Sequence, residues 1–197
     1  MTSPTWRQVA EAGHSGDERI ASAALTSTDV DTRELAVGAL DRMGALTDDD
    51  LVRAAGDPAA AVRRRAAAVA AGRPGFDLTL LLDDADPAVA ETAAWAAGEH
   101  AEAHDAVMDR LCRMAVEAAD ALVREAAVAA LGAIGDERGL PAILHACSDK
   151  PAVRRRAVLA LAPFDGPEVD AALETARSDR DWQVRQAVED IAPTTTG

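Results

Sequence analysis

The sequence predicts an all-α fold, a solenoid of about six helix pairs, and three observations predict it. Segments headed by Thr32, Val62, Val89, Val123, Val153 and Val184 repeat one course at intervals of 30, 27, 34, 30 and 31 residues. A period of that length marks one supersecondary unit per repeat. Within each segment the apolar residues recur with a helical period, and no stretch alternates as a strand would. Of the 197 residues, 49% are hydrophobic but only 3% aromatic, and roughly a quarter are Ala, the small side chains that let helices pack closely.

With the first residue of each segment as position 0, apolar residues occupy positions 0, 4, 5, 7 and 8. At about 100° per residue these share one face, the expected core stripe. Signature helices are therefore expected over 32–42, 62–71, 89–98, 123–132, 153–162 and 184–192. Most follow Asp-containing turns such as Thr28-Asp-Val-Asp, Gly56-Asp-Pro, Asp86-Pro, Ser148-Asp-Lys-Pro and Ser178-Asp-Arg-Asp. Asp there reads as an N-cap, and Pro58, Pro87 and Pro151 stand near the first turn, where a missing N–H costs little. Gly98 and Gly132 at position 9, and Gly72 one residue later in its own segment, are expected C-terminal caps. Second amphipathic helices are expected over about 17–26, 47–55, 76–83, 104–118, 139–147 and 167–177, and a short helix near 5–12 is expected to cap the start. Residues 1–197 form a single expected domain, closed by a modified last unit with Glu189 at position 5 and a disordered tail over about 193–197.

Composition excludes several classes of function. No run approaches the ~18 apolar residues of a membrane span, and the start Met1-Thr-Ser-Pro-Thr-Trp-Arg carries no signal-peptide pattern. The expected compartment is therefore the cytoplasm, and the Arg- and Ala-rich composition suggests a high-GC bacterial source. A net charge of −14 and a pI near 4.6 repel nucleic acid and anionic lipid. Cys112 and Cys147 both fall on helical apolar stripes and read as small core residues.

The course Asp-x-x-Val-Arg-x-x-Ala-Ala-x-Ala-Leu-Gly, followed by Ile134-Gly-Asp-Glu-Arg-Gly-Leu-Pro-Ala-Ile-Leu, resembles the HEAT-like repeat of the phycobilisome-lyase type along essentially the whole chain. The resemblance implies a right-handed α-α superhelix whose signature helices line the concave side. It also implies that the Arg at position 1, Arg63, Arg124, Arg154 and Arg185, pairs with Asp of a neighbouring unit. Such repeats serve bilin lyases, deoxyhypusine hydroxylase, alkylpurine DNA glycosylases and scaffolds without chemistry, so the fold does not select a function.

Helix geometry places position 6, flanked by 2 and 3, opposite the core. Position 6 reads Gly38, Ala68, Trp95, Ala129, Leu159 and Asp190. An exposed Trp is enriched at binding hot spots, and Trp95 is the candidate apolar anchor, with Leu159 further along the same line. Positions 2 and 3 supply two arginine pairs, Arg64 with Arg65 and Arg155 with Arg156, three units apart and so about 30 Å from each other. These are candidate carboxylate partners, while Glu91 and Glu125 would set register. Trp6 and Trp182 are expected to cap the core at the two ends. The six signature helices carry ten Arg and six acids, a net +4 against −18 for the rest. An acidic or amphipathic segment would be steered to that side and basic partners to the other.

The remaining candidate chemistry is thin. Glu99-His100-Ala-Glu102-Ala-His104-Asp105 is the one run with metal-like spacing, and it falls in an expected solvated turn. Deoxyhypusine hydroxylase-like proteins hold iron through His-Glu pairs on successive signature helices, and the sequence has no His-Glu pair. Glycosylases of this repeat class hold DNA in a basic channel, which the overall charge disfavours. His145 and Cys147 stand i, i+2 on a helix and point apart. The expectation is a monomeric, non-catalytic scaffold or assembly factor that binds another protein or peptide segment in its concave groove, without catalytic residues, metal or cofactor, and with neither nucleic acid nor membrane as partner. The alternative is a ligand-handling or catalytic protein of the bilin-lyase or alkylpurine-glycosylase type.

Overall fold

The computed structural model describes residues 4–100 and 103–192, and all of their regular structure is helical. The expected tail, Pro193–Gly197, lies outside the described residues. The helices are α1 (Trp6–Ser15), α2 (Glu18–Ala24), α3 (Val30–Arg42), α4 (Asp48–Ala55), α5 (Ala60–Ala70), α6 (Thr79–Leu82), α7 (Pro87–Gly98), α8 (Asp105–Glu117), α9 (Ala121–Ile134), α10 (Leu140–Ala146), α11 (Pro151–Ala160), α12 (Pro167–Arg177) and α13 (Trp182–Ile191). The chain divides into two compact units, Met1–Ala93 and Ala94–Gly197, with the boundary inside α7.

In the first unit α1, α3 and α5 pack side by side as a signature row, with α2 and α4 against them. In the second, α9, α11 and α13 do the same, with α8, α10 and α12 as the intervening helices. The core stripe follows the repeat phase. Val62, Ala66, Ala67, Val69 and Ala70 of α5 are buried, as are Val123, Ala127, Val128, Ala130 and Leu131 of α9 and Val153, Ala157, Val158, Ala160 and Leu161 of α11 and its C-cap. The intervening helices complete this core with larger residues, among them Leu51, Leu81, Met108, Leu111 and Ile143. Small residues on one row and bulky ones on the other share the layer between them.

Helix α1 departs from the expected short cap. It runs to Ser15 and stacks on α3 as the first member of the signature row. A Cβ at Gly13 would lie 3.2 Å from Ala39 Cβ, so the glycine lets the two helices approach.

The expected glycine caps are also corrected. Positive φ occurs at Gly16, Gly44, Gly135 and Gly166, and not at Gly72, Gly98 or Gly132. α9 runs through Gly132 and is closed instead by left-handed Gly135, whose N–H donates to Leu131 O. A Cβ at Gly132 would stand 2.6 Å from both Cα and Cβ of Ala160, and one at Gly98 would stand 3.0 Å from Ala130 Cα. Both glycines thus serve close helix approach, position 9 of one signature helix meeting position 7 of the next.

An arginine ladder holds consecutive units together. Arg33 grips Asp57, and Arg63 grips Asp84, in the first unit; Arg124 grips Asp149, and Arg154 grips Asp179, in the second. Each pair is bidentate, with Nε and Nη2 donating to the two carboxylate oxygens at 2.6–2.9 Å. The third nitrogen, Nη1, donates to carbonyls of the turn that starts the arginine's own unit: Ser27, Asp57, Ala118 and Asp149. This fork geometry is one that Lys cannot reproduce. Arg185 likewise donates from Nη1 to a carbonyl of its own turn, Asp179 O.

The ladder reassigns several Asp residues expected as caps. Asp29, Asp120 and Asp181 do cap α3, α9 and α13. Asp57, Asp149 and Asp179 instead accept the arginines, and the N-caps of α5 and α11, Ala59 and Lys150, make no side-chain cap bond. The arginine fork lowers the carboxyl pKa of Asp57, Asp84, Asp149 and Asp179 below the ordinary value.

Candidate functional site

Arg64, Arg65 and Glu91 belong to the first unit, and Trp95, Glu125, Arg155, Arg156 and Leu159 to the second. In the first, Arg64 is exposed and forms no ion pair among the described residues. Arg65, at position 3, donates from Nη2 to Glu34 Oε1 of the preceding signature helix at 3.1 Å. Glu91 is half-buried. Position 6 is not uniformly open here. Gly38 is buried, with Arg42 and Arg65 side chains 3.6 Å from where its Cβ would be.

The second unit repeats this arrangement. Arg156 at position 3 reaches Glu125 at position 2 of the preceding helix, Nη2 to Oε1 at 3.5 Å. Arg65 and Arg156 are thus partly neutralised within the protein, and Glu125 is occupied. Arg64 and Arg155, at position 2, are the unpaired cations. Pairs of this exposed kind are worth about 0–1 kcal/mol, so a stronger acceptor can displace them. Arg156 Nε is buried without an acceptor, which leaves this guanidinium with an unused donor.

Trp95 is 49% exposed, as its phase predicts. The last turn of α7 packs on α9, since a Cβ at Gly98 would also come within 3.6 Å of Ala133 Cβ. Between α9 and α11 lies an open cleft of 470 Å³ whose lining includes Ala129, Gly132, Ala133, Arg156, Leu159 and Pro163. The glycine that lets α9 and α11 approach also deepens this cleft. Its lining combines an apolar floor with one guanidinium, a composition that suits a side chain or short segment carrying both apolar and acidic groups.

Trp6 and Trp182 do not cap the core. They are 53% and 63% exposed, because each is the first residue of its helix, two or three positions before the buried Val9 or Val184. Of the run 99–105, residues 101 and 102 lie outside the described residues; His104 is exposed, but His100 is buried rather than solvated. Among the described residues no group of three His, Cys, Asp or Glu side chains is placed to hold a metal ion. Cys112 and Cys147 form no disulfide and are half-buried; burial pushes the Cys147 thiol up to about 11. No described helix is long and apolar enough to cross a membrane.

Comparison with known proteins bears on the fold. Residues 77–162 match the family model for HEAT repeats. A designed armadillo repeat protein superposes with a TM-score of 0.62 at 20% identity, covering 87% of this chain and 96% of its own. A second designed armadillo repeat protein, in complex with the peptide (KR)4, gives 0.60 at 21% identity, covering 92% and 95%. An engineered protein gives 0.61 at 20% identity, covering 94% of this chain and 59% of its own. No curated protein matches the chain. At these identities the likeness shows the fold of stacked helical repeats and nothing of function.

Proposed function

The chain is a HEAT-like repeat protein, and from that premise we propose that it is a non-catalytic scaffold that captures a segment of another protein on the signature row of its second unit. The observation that carries the reading is the cleft between α9 and α11, where Leu159 and small residues lie beside Arg156. Trp95 is the apolar anchor, half exposed at the same repeat position as Ala129 and Leu159. Arg155 and Arg156 pair with carboxylates of the captured segment, and Glu125 yields Arg156 on binding. In the first unit, Arg64 extends the same electrostatic preference for acidic segments. The peptide held by one of the designed armadillo proteins supports stacked helical repeats as peptide binders.

The test uses an acidic-apolar peptide probe built from Leu and Glu, titrated against the whole chain carrying Trp6→Phe and Trp182→Phe so that Trp95 alone reports. Saturable change in its fluorescence, and a loss of affinity of about tenfold or more in Trp95→Ala with Arg155→Glu when both chains are titrated by calorimetry, is the expected result. Unchanged affinity in that double variant removes the site.

A further inference from the structure

The signature row of the first unit differs in chemistry from the α9–α11 cleft. Gly13 of α1 meets Ala39 as Gly132 meets Ala160, so Gly13 stands at position 9 and the phase of α1 follows: position 2 is Trp6 and position 3 is Arg7. Both fall on the face opposite the core. Both are exposed, with the Arg7 guanidinium 5.6 Å from the centre of the Trp6 ring. At positions 6 and 10 the two units diverge. α9 has Ala129 and Ala133, which line the open cleft, whereas α3 has Gly38 and Arg42.

Arg42 lies across two glycines. Its Nη1 is 3.6 Å from where a Cβ of Gly38 would be, and its Nη2 is 2.9 Å from where a Cβ of Gly13 would be. Arg65 Nε is also 3.6 Å from the Gly38 point, so the two nitrogens lie within about 7 Å of each other and one anion can accept from both. The carboxylates on these helices do not fill that role. Glu34 accepts from Arg65 Nη2, Asp41 accepts from Arg73, and Glu11, at position 7 of α1, lies off this face. Arg42 and Arg64 are exposed and form neither a hydrogen bond nor an ion pair among the described residues, and Arg7 has only the Trp6 ring. Three guanidiniums on this face of α1, α3 and α5 therefore stand against one carboxylate, Asp31 in the first turn of α3, a surplus of two positive charges.

We propose that Arg42 and Arg65, above Gly38, bind the phosphoryl group of a phosphorylated segment of a partner protein, at a site separate from the one proposed for the second unit. A phosphoryl group carries about −2 near neutral pH and three acceptor oxygens. That matches the surplus charge and the two guanidiniums near one point, where a carboxylate offers one charge and two oxygens. Arg64 on α5 and Arg7 on α1 flank the site and favour the approach of an anionic chain. The exposed Trp6 ring gives residues further along the segment an apolar surface to lie on, an advantage that free phosphate cannot use.

Calorimetric titration of the whole chain with peptides of one Ala- and Leu-based sequence, differing only in a central phosphoserine, Glu or Ser, tests this alongside inorganic phosphate. The expected result is that the phosphoserine peptide binds at least about tenfold tighter than either the Glu peptide or inorganic phosphate, with amide shifts in the ¹⁵N-labelled chain centred on Gly13, Gly38 and Arg42. Arg42→Gln, at an exposed and unpaired residue and so neutral to folding by circular dichroism, lowers that affinity by about tenfold. Trp95→Ala with Arg155→Glu leaves it unchanged, which separates this site from the one proposed above. No phosphoserine-dependent binding, equal affinity for the Glu peptide or for inorganic phosphate, or binding indifferent to Arg42→Gln overturns the proposal.

Discussion

Three glycines near the ends of their signature segments respond differently to the same substitution if their neighbours decide the outcome. In Gly132→Ala the added Cβ would meet Ala160 Cα and Cβ at 2.6 Å and Ala160 O at 3.0 Å. Two of those atoms are backbone, so relief requires α9 and α11 to move apart. Overpacking of this kind costs about 1–3 kcal/mol, against a helix-propensity gain of about 1 kcal/mol for replacing a mid-helix Gly. The net loss is about 0–2 kcal/mol, or up to roughly 8 °C in Tm for a chain of this length. In Gly98→Ala the nearest atom is Ala130 Cα at 3.0 Å, a tighter approach than usual but one that a small shift relieves, and the change stays within about 1 kcal/mol of wild type. In Gly72→Ala the nearest atom is Val69 O at 3.8 Å and φ is not left-handed. That variant gains about 0.4–1 kcal/mol through a less flexible unfolded chain. Urea unfolding of the three variants, followed by circular dichroism, gives the order. Equal losses at all three positions would restore the capping interpretation and refute the close-approach argument. Ala160→Gly added to Gly132→Ala recovers only part of the loss, because the clash with Cα persists.

The ladder and its acid response provide the other two expectations. Arg124→Ala removes a bidentate grip on Asp149 and a donor to Ala118 O, both side chains being largely buried, and costs about 2–3 kcal/mol; urea midpoints at neutral pH measure it, and a change below about 0.5 kcal/mol would reduce the ladder to a surface ornament. Asp57, Asp84, Asp149 and Asp179 have folded pKa values below the ordinary 3.8, so the unfolded chain binds their protons first. Their contribution is complete above that value and is lost as pH falls through the lower folded values. Stability should hold level from neutral pH to about pH 5 and decline below about pH 4, and a pH series of unfolding curves in which Asp149→Asn shows the same acid slope as wild type would contradict the assignment.

The sequence made the core stripe legible because phase around a helix axis is a local property. Positions 0, 4, 5, 7 and 8 could be placed inside from their spacing, and Trp95 outside, without knowing any neighbour. What one helix does to the next was not legible. Gly at position 9 satisfies both a left-handed cap and a close approach, and only the Ala opposite distinguishes them. An Asp before a helix reads as an N-cap until an arginine some 25 residues earlier is seen to reach it, as Arg124 reaches Asp149. Arg65 and Arg156 looked available because their acceptors, Glu34 and Glu125, are 31 residues away. A 27-residue interval shows that a unit is short, but the loss of turns from α6 rather than α5 depends on how the two helices share the core. Trp6 and Trp182 misled because a large aromatic near a terminus suggests a lid, whereas each in fact opens its helix on the solvent side.

The arginine ladder has a consequence for how such a chain can change length. Every donor in it looks forward and every acceptor looks back, so a unit carries one half of each junction. In the turn before α3 the matching position holds Ser27, whose Oγ accepts Asp29 N–H as the ladder carboxylates accept the N–H two residues on in three of the four turns. Arg185 donates to a carbonyl of its own turn, as the other ladder arginines do. Where the sequence places Ala90 at the donor position, it places Ala118 at the matching acceptor position, so neither charge is stranded. A helix pair copied or excised between two such junctions leaves each arginine facing an aspartate, and the array can grow or shrink by whole units without an orphaned ion.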